Sequence, residues 1–334
     1  MAGGGGTARR GGATRRGATA VGHGQVDEVA AVVQRLAVLL EAGVAPTNAW
    51  GYLAEGAGRA AVGRRGSVAS AVGLIARAVQ AGVAADRAIG SASKVGDPRT
   101  RQAWLVLAAA WQVASVSGAP LAICLREVAR TLLEVGEVHR SIDVALAAPI
   151  ATARLMVFLP LVGIGIGALM GFDSLHTLFA TPPGVACLVA GVGLLVVSRR
   201  WNSALVRAAQ PKTMVAGVAV ELMAVAMGGG ASVDRARQVM TDALELYGLR
   251  EPGAGEQVDA VVELSRRAGV PAAELLRAEA AQVRRAAVTA SQKRAAALSV
   301  RLMVPLGLCV LPAFMLLGVA PLLLAVITST FSAL

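Results

Sequence analysis

Residues 302–323 read LMVPLGLCVLPAFMLLGVAPLL, an apolar run without one ionisable side chain. A helix needs about 20 such residues to cross about 30 Å of hydrocarbon. The run already has that length and extends to Ile327, and its prolines at 305, 312 and 321 predict kinks. Two stretches upstream have the same character. One is 155–172 (LMVFLPLVGIGIGALMGF), with Arg154 at its edge, and the other runs from Pro183 to Ser198 and stops at Arg199 and Arg200. The second is short, so its reading as a span rests on pairing with the first. The whole chain agrees: of 334 residues, 55% are hydrophobic and only 16% charged, with a mean hydropathy of +0.62. Soluble domains carry about a quarter charged residues. This balance excludes a disordered chain and a disulfide-rich secreted one. Aromatics at 3% are too few for a base-stacking platform or a carbohydrate cleft.

Charge placement gives the orientation. Sixteen Lys and Arg precede Arg154 and fifteen lie between Arg199 and Arg301, whereas 173–182 and the tail after the last run hold none. The positive-inside rule then predicts a cytoplasmic N-terminus and a C-terminus outside, in a multi-pass protein of the cytoplasmic (inner) membrane. The formal charge of +11 follows from that topology, so nucleic-acid binding has no place in the explanation. Residues 1–25 are Gly- and Arg-rich without an apolar run. They read as a disordered tail rather than a signal peptide, suited at most to anionic lipid headgroups.

Between the apolar runs, 26–146 and 201–300 show the three- and four-residue apolar spacing of helices. In VDEVAAVVQRLAVLLEAG, for example, Val29, Val32, Val33, Leu36, Leu39 and Leu40 share a face. The expected fold is therefore all-α, with two cytoplasmic antiparallel helix bundles and three transmembrane helices. A disordered tail (1–25) and a first bundle (26–146) precede two spans with a short outer loop at 173–182 (147–200). A shortened second bundle (201–300) and a third span with its tail (301–334) follow. The hairpins are punctuated by Gly43, Gly82, Gly118, Gly230 and Gly269, which suit a left-handed helix end. Pro46, Pro120 and Pro271 suit the following first turns. Pro305 and Pro312 shape the last span. Two hairpins align further: SGAPLAICLREVARTL (117–132) resembles AGVPAAELLRAEAAQV (268–283), each leading into a helix that runs towards a span. A second likeness is weaker, between LAVLLEAGVAPTNAW (36–50) and AVAMGGGASVDRARQ (224–238). Duplication is the reading preferred over shared Ala-rich composition.

The search for chemistry returns absences. None of Lys94, Lys212 or Lys293 sits in the Gly-x4-Gly-Lys-Ser/Thr context that wraps phosphates. Gly163, Gly167 and Gly171 are spaced by four inside an apolar run, which suits close helix packing. Ser91-Ala-Ser-Lys94 matches a Ser-x-x-Lys motif, but its partner motifs are missing. His23, His139 and His176 are scattered, as are Cys124, Cys187 and Cys309, without metal-ligand spacing. Among the aspartates only Asp173 lies near a span, at its outer edge, and no span carries an ionisable residue at mid-depth. No catalytic, cofactor or metal site is expected.

Taken together, LAVLLEAGVAPTNAW (36–50), VSGAPLAICLREVARTL (116–132) and 302–323 resemble the type II secretion system F family. Within it the likeness is to the tight-adherence (Tad/Flp) pilus assembly platforms of the bacterial inner membrane. The second bundle departs from that family's six-helix repeat by lacking a middle hairpin. The resemblance implies a non-enzymatic platform whose bundles engage a hexameric secretion ATPase and whose spans handle pilin subunits. It also implies a second F-family platform protein as partner, and homo- or hetero-oligomers in membrane lipid. A membrane enzyme or transporter of unknown substrate is the alternative, and a passive scaffold a third reading.

Overall fold

The computed structural model describes residues 13–60, 68–137, 182–209, 216–301 and 303–320, with a few single residues besides. All regular structure among them is helical. In chain order the helices are α1 (Ala13–Glu41), α2 (Pro46–Ala60), α3 (Val68–Gln80), α4 (Ala85–Ala92) and α5 (Pro98–Ser117). Then come α6 (121–137), α7 (Pro182–Ala209), α8 (Val218–Gly228), α9 (Val233–Leu246), α10 (Ala254–Ala268) and α11 (Ala272–Arg301). A last helical run over 303–319 alternates α turns with π turns. The first half of the segment read as a tail, and the stretch 155–172 with its outer loop, lie outside the described residues. α1 begins at Ala13, inside the tail segment.

Two compact units divide the chain. One comprises Met1–Arg140 with Lys212–Thr289, the other Ser141–Pro211 with Ala290–Leu334. The first unit therefore combines helices from both segments that the sequence separates into bundles. One large hydrophobic cluster runs through it, from Val29, Val33 and Leu36 on α1 through Trp104 and Leu107 on α5 to Val258 on α10 and Leu276 on α11. The expected apolar face of α1 is in it: Val29, Val32, Val33 and Leu36 are buried, and Leu39 and Leu40 pack against it. α8 (VAVELMAVAMG) explains the merging. It is buried from Val218 to Ala226 on every side, as a helix apolar all round must be, and so needs neighbours on every side. α5, α9 and α10 supply them.

The helix ends follow from local chemistry. Asp97 caps α5 by accepting the Thr100 N–H at 3.1 Å, with Pro98 in the first turn. Ser232 does the same for α9 through the Arg235 N–H at 3.3 Å. At Gly118 (φ +70°) and Gly269 (φ +67°) the glycine and the next residue both donate to one carbonyl, that of Ala114 and of Ser265 respectively. At Gly43 and Gly82 the glycine and the next residue instead donate to different carbonyls. The two hairpins that align in sequence thus share a cap.

Burial extends that correspondence. The buried residues of α10 are Ala254, Val258, Val261, Val262 and Ser265. At the same shift they fall on Ala103, Leu107, Ala110, Trp111 and Ala114 of α5, all buried. Aligning Gly43 with Gly230 likewise places Val33, Leu36, Ala49 and Leu53 on Val220, Met223, Ala236 and Met240, again all buried. α1–α2 therefore corresponds to α8–α9, and α5–α6 to α10–α11. The second set has nothing corresponding to α3–α4.

In the second unit α7 packs along the 303–319 run. A Cβ added at Gly191 would lie 2.5 Å from Leu317 Cγ, so the glycine marks a close approach. Contacts also reach Met303–Pro305. Moving from Leu317 back to Met303 takes α7 from Gly191 to about Leu205 if the helices are antiparallel, but beyond its start at Pro182 if parallel. They are antiparallel. Pro312 lacks the N–H that would reach the Leu308 carbonyl, and the π turns Leu306–Val310 and Met315–Val319 flank it, a wider winding that relieves the crowded carbonyl.

Candidate functional site

α11 matters most, because it starts in the first unit and continues past Thr289 into the second. Its grip on the first unit is built from three layers. Leu276 and Ala280 are fully buried against the core. Next, Gly217 (φ +77°) presses on the α11 backbone: a Cβ there would sit 3.0 Å from the Ala280 carbonyl oxygen. The Gly217 N–H donates to both oxygens of Glu251, at 3.0 and 3.1 Å. Burial pushes the Glu251 carboxyl above the usual carboxylate range, partly offset by the N–H groups of Gly217 and Ala219.

The third layer is ionic. Arg284 Nη1 donates to Glu221 Oε2 at 2.6 Å, with the two side chains only 10% and 12% exposed. Glu134 Oε2 lies 3.9 Å from Arg284 Nε, which makes no hydrogen bond. Beside the pair is a cavity of about 20 Å³, lined by Val106, Cys124, Val128, Thr131, Leu222 and Val225 among others. An ion pair so enclosed is held by geometry, since each charge has lost most of its water. Cys124 in its wall is no nucleophile. Burial first, then the charges of Glu221 and Glu127, push its thiol up to about 12, and the S–H donates to the Ala110 carbonyl at 3.7 Å.

Elsewhere the first unit is tied across its two halves. The Tyr247 hydroxyl donates to Asp86 Oδ2 at 3.0 Å; burial first, then this carboxylate, push the phenol well above its usual range. Gly90 leaves room for the ring, since a Cβ there would come within 2.9 Å of Tyr247 Cε1. A Cβ at Gly229 would collide with the Ser117 carbonyl, so the α8–α9 hairpin packs directly on the α5–α6 hairpin.

The residues singled out from sequence fall as follows. Gly43, Gly82, Gly118, Gly230 and Gly269 all have positive φ at hairpins. Pro46 is the first residue of α2. Pro120 and Pro271 sit just before α6 and α11 and accept early helical hydrogen bonds, Pro120 from Ile123 and Cys124 and Pro271 from Leu275. Pro305 directly precedes the first π turn and Pro312 lies between the two. Gly163, Gly167 and Gly171 lie outside the described residues. Ser91 is not poised for chemistry: its hydroxyl donates to the Ala88 carbonyl at 2.7 Å, and Lys94 is exposed. Among the described residues no three His, Cys, Asp or Glu side chains come together as a metal site. Sequence reasoning missed Glu221, Arg284, Gly217 and Gly191. Glu221 did carry a signal, as the lone charge in an otherwise apolar helix.

Among the described residues, Pro182–Leu205 and Ala272–Val319 are long and apolar enough to cross a membrane. The family model for type II secretion system (T2SS), protein F matches residues 32–168. The match covers less than half of the chain, and over those residues the chain is similar to that domain. No curated protein and no solved structure matches the chain. The match spans α1 to α6 and ends inside the apolar run at 155–172. That family comprises inner-membrane platform proteins of secretion and pilus machinery, which are generally non-enzymatic. In this chain the matched segment shares its core with α8–α11, and the Glu221–Arg284 pair lies on helices beyond the match.

Proposed function

We propose that this protein is a non-enzymatic inner-membrane platform of a Tad/Flp-like pilus assembly or type II secretion machine. Its first unit engages a hexameric cytoplasmic ATPase, and its spans pass pilin subunits into or out of the membrane. The family match at 32–168 supports the machine class. The observation that carries the mechanical reading is α11. It is clamped in the first unit by Leu276, Gly217 and the Glu221–Arg284 pair, and it runs unbroken from Ala272 to Arg301, towards the apolar helix that follows. A rigid helix transmits rotation or tilt, which a Gly-rich linker would dissipate. Work must come from a partner, because the sequence has no phosphate-binding loop.

The test is a flexible insert of Gly and Ser after Ala296. Pili should be lost while the protein still inserts in the membrane at normal abundance. Normal piliation in that variant would contradict mechanical transmission through α11.

A further inference from the structure

The geometry points to a head-to-tail interface in which one copy of this chain docks its α1–α2 hairpin on the α10–α11 hairpin of a second copy. The contact already exists once within the chain. There α5 and α6 of the first repeat meet α8 of the second, across the cavity beside Glu221. The repeat register carries each half of that seam to a place where it has no counterpart. Val106, Ala110, Cys124 and Val128 become Gln257, Val261, Leu275 and Glu279, while Glu221, Leu222 and Val225 become Gln34, Arg35 and Val38.

Both transferred faces are open in part: Val261 stays buried and Leu275 and Glu279 are half-buried, but the positions around them are exposed. Trp104, Val106, Ala109 and Val113 are buried on α5, whereas Gly255, Gln257, Ala260 and Leu264 are exposed on α10, Leu264 by 54%. On the other side Leu222, Val225 and Val239 are buried. Their counterparts Arg35, Val38 and Tyr52 are exposed, Val38 by 57% and Tyr52 by 58%.

The two faces also match each other. Val128 and Leu222 line one cavity, so Glu279 of one copy comes opposite Arg35 of the next, and neither has an ionic partner among the described residues. In the same frame Leu275 replaces Cys124 and Val38 replaces Val225, keeping an apolar contact beside the charges. Because the faces sit on different repeats, each copy keeps one free face after docking, and the contact propagates into a ring or a filament. Its mixed apolar and polar character suits a reversible interface rather than an obligate one.

Sedimentation of the full chain in mild detergent, over a range of concentrations, tests this. Wild type should associate reversibly. R35E and E279R should each weaken association by about tenfold or more through like-charge contact. Restoration is expected both in the R35E/E279R chain and on mixing the two single variants. A wild type that stays monomeric, association indifferent to both reversals, or failure of the double reversal to restore it would overturn the interface. So would association only with a different F-family protein. Should E279R impair folding, a V38C/L275C chain is the second measurement. Oxidation in membranes should give a ladder of cross-linked copies, and its absence would count equally against the proposal.

Discussion

Removing either member of the Glu221–Arg284 pair should unseat α11. At 2.6 Å the attraction is on the order of 6 kcal/mol with an effective dielectric constant near 20, and desolvation of the two ions offsets several kcal/mol of it. The net worth of the pair is therefore small, but the cost of orphaning one member is not. Arg284→Met leaves Glu221 enclosed among Val218, Leu222 and Val225, and should cost about 3–5 kcal/mol. Glu221→Leu should cost less, because Arg284 keeps the Glu134 carboxylate at 3.9 Å. The double variant, apolar on both sides, should recover most of the loss. Arg284→Lys should fall between, because an ammonium keeps the charge but loses the planar fork. Denaturant unfolding of the full chain in detergent, followed by circular dichroism, gives the four corners of the cycle. A cost below about 1 kcal/mol for Arg284→Met, or strict additivity in the double variant, would refute an enclosed, mutually dependent pair.

Three further outcomes follow from the geometry. Gly118 has φ +70° and nothing within 4 Å of an added Cβ, so its cost is purely conformational. Gly118→Val should lower stability by about 1–2 kcal/mol and Gly118→Asn by clearly less, as thermal melting would show. Gly191→Val should lower the melting temperature by overpacking against Leu317, at about 1–3 kcal/mol, whereas the same change at Gly193, with nothing within 4 Å, should not. Glu251 has a raised carboxyl pKa in the folded state, so its contribution is fully present below the unfolded carboxylate range, at about pH 4, and declines as pH rises through the folded value. The stability of Glu251→Gln relative to wild type should therefore improve between pH 4 and pH 7; a gap that stays constant would contradict the shift.

Hairpin positions were legible in the sequence because a glycine at a helix end has one cheap use, and Gly43, Gly82, Gly118, Gly230 and Gly269 all take it. The repeat was legible for the same reason, with burial on α5 and α10 keeping the register that Gly118 and Gly269 announce. Periodicity marks which face of a helix is apolar but not what covers it. That is why the two helical segments read as separate bundles, although they share one core in the structure. The all-round apolar character of VAVELMAVAMG at 218–228 was the available clue, since such a helix must be enclosed by others. Pairing of Glu221 with Arg284, 63 residues away, leaves no local pattern at all. Gly191 was passed over because its reason for being small is Leu317, on a helix distant in sequence.

A tagged full-length chain, drawn from native membranes in mild detergent with its partners identified by mass spectrometry, tests the platform reading most directly. Co-purification of a secretion-type ATPase, lost when Arg284→Met unseats α11, is the predicted result. Recovery of a folded chain in good yield without any such ATPase would contradict it.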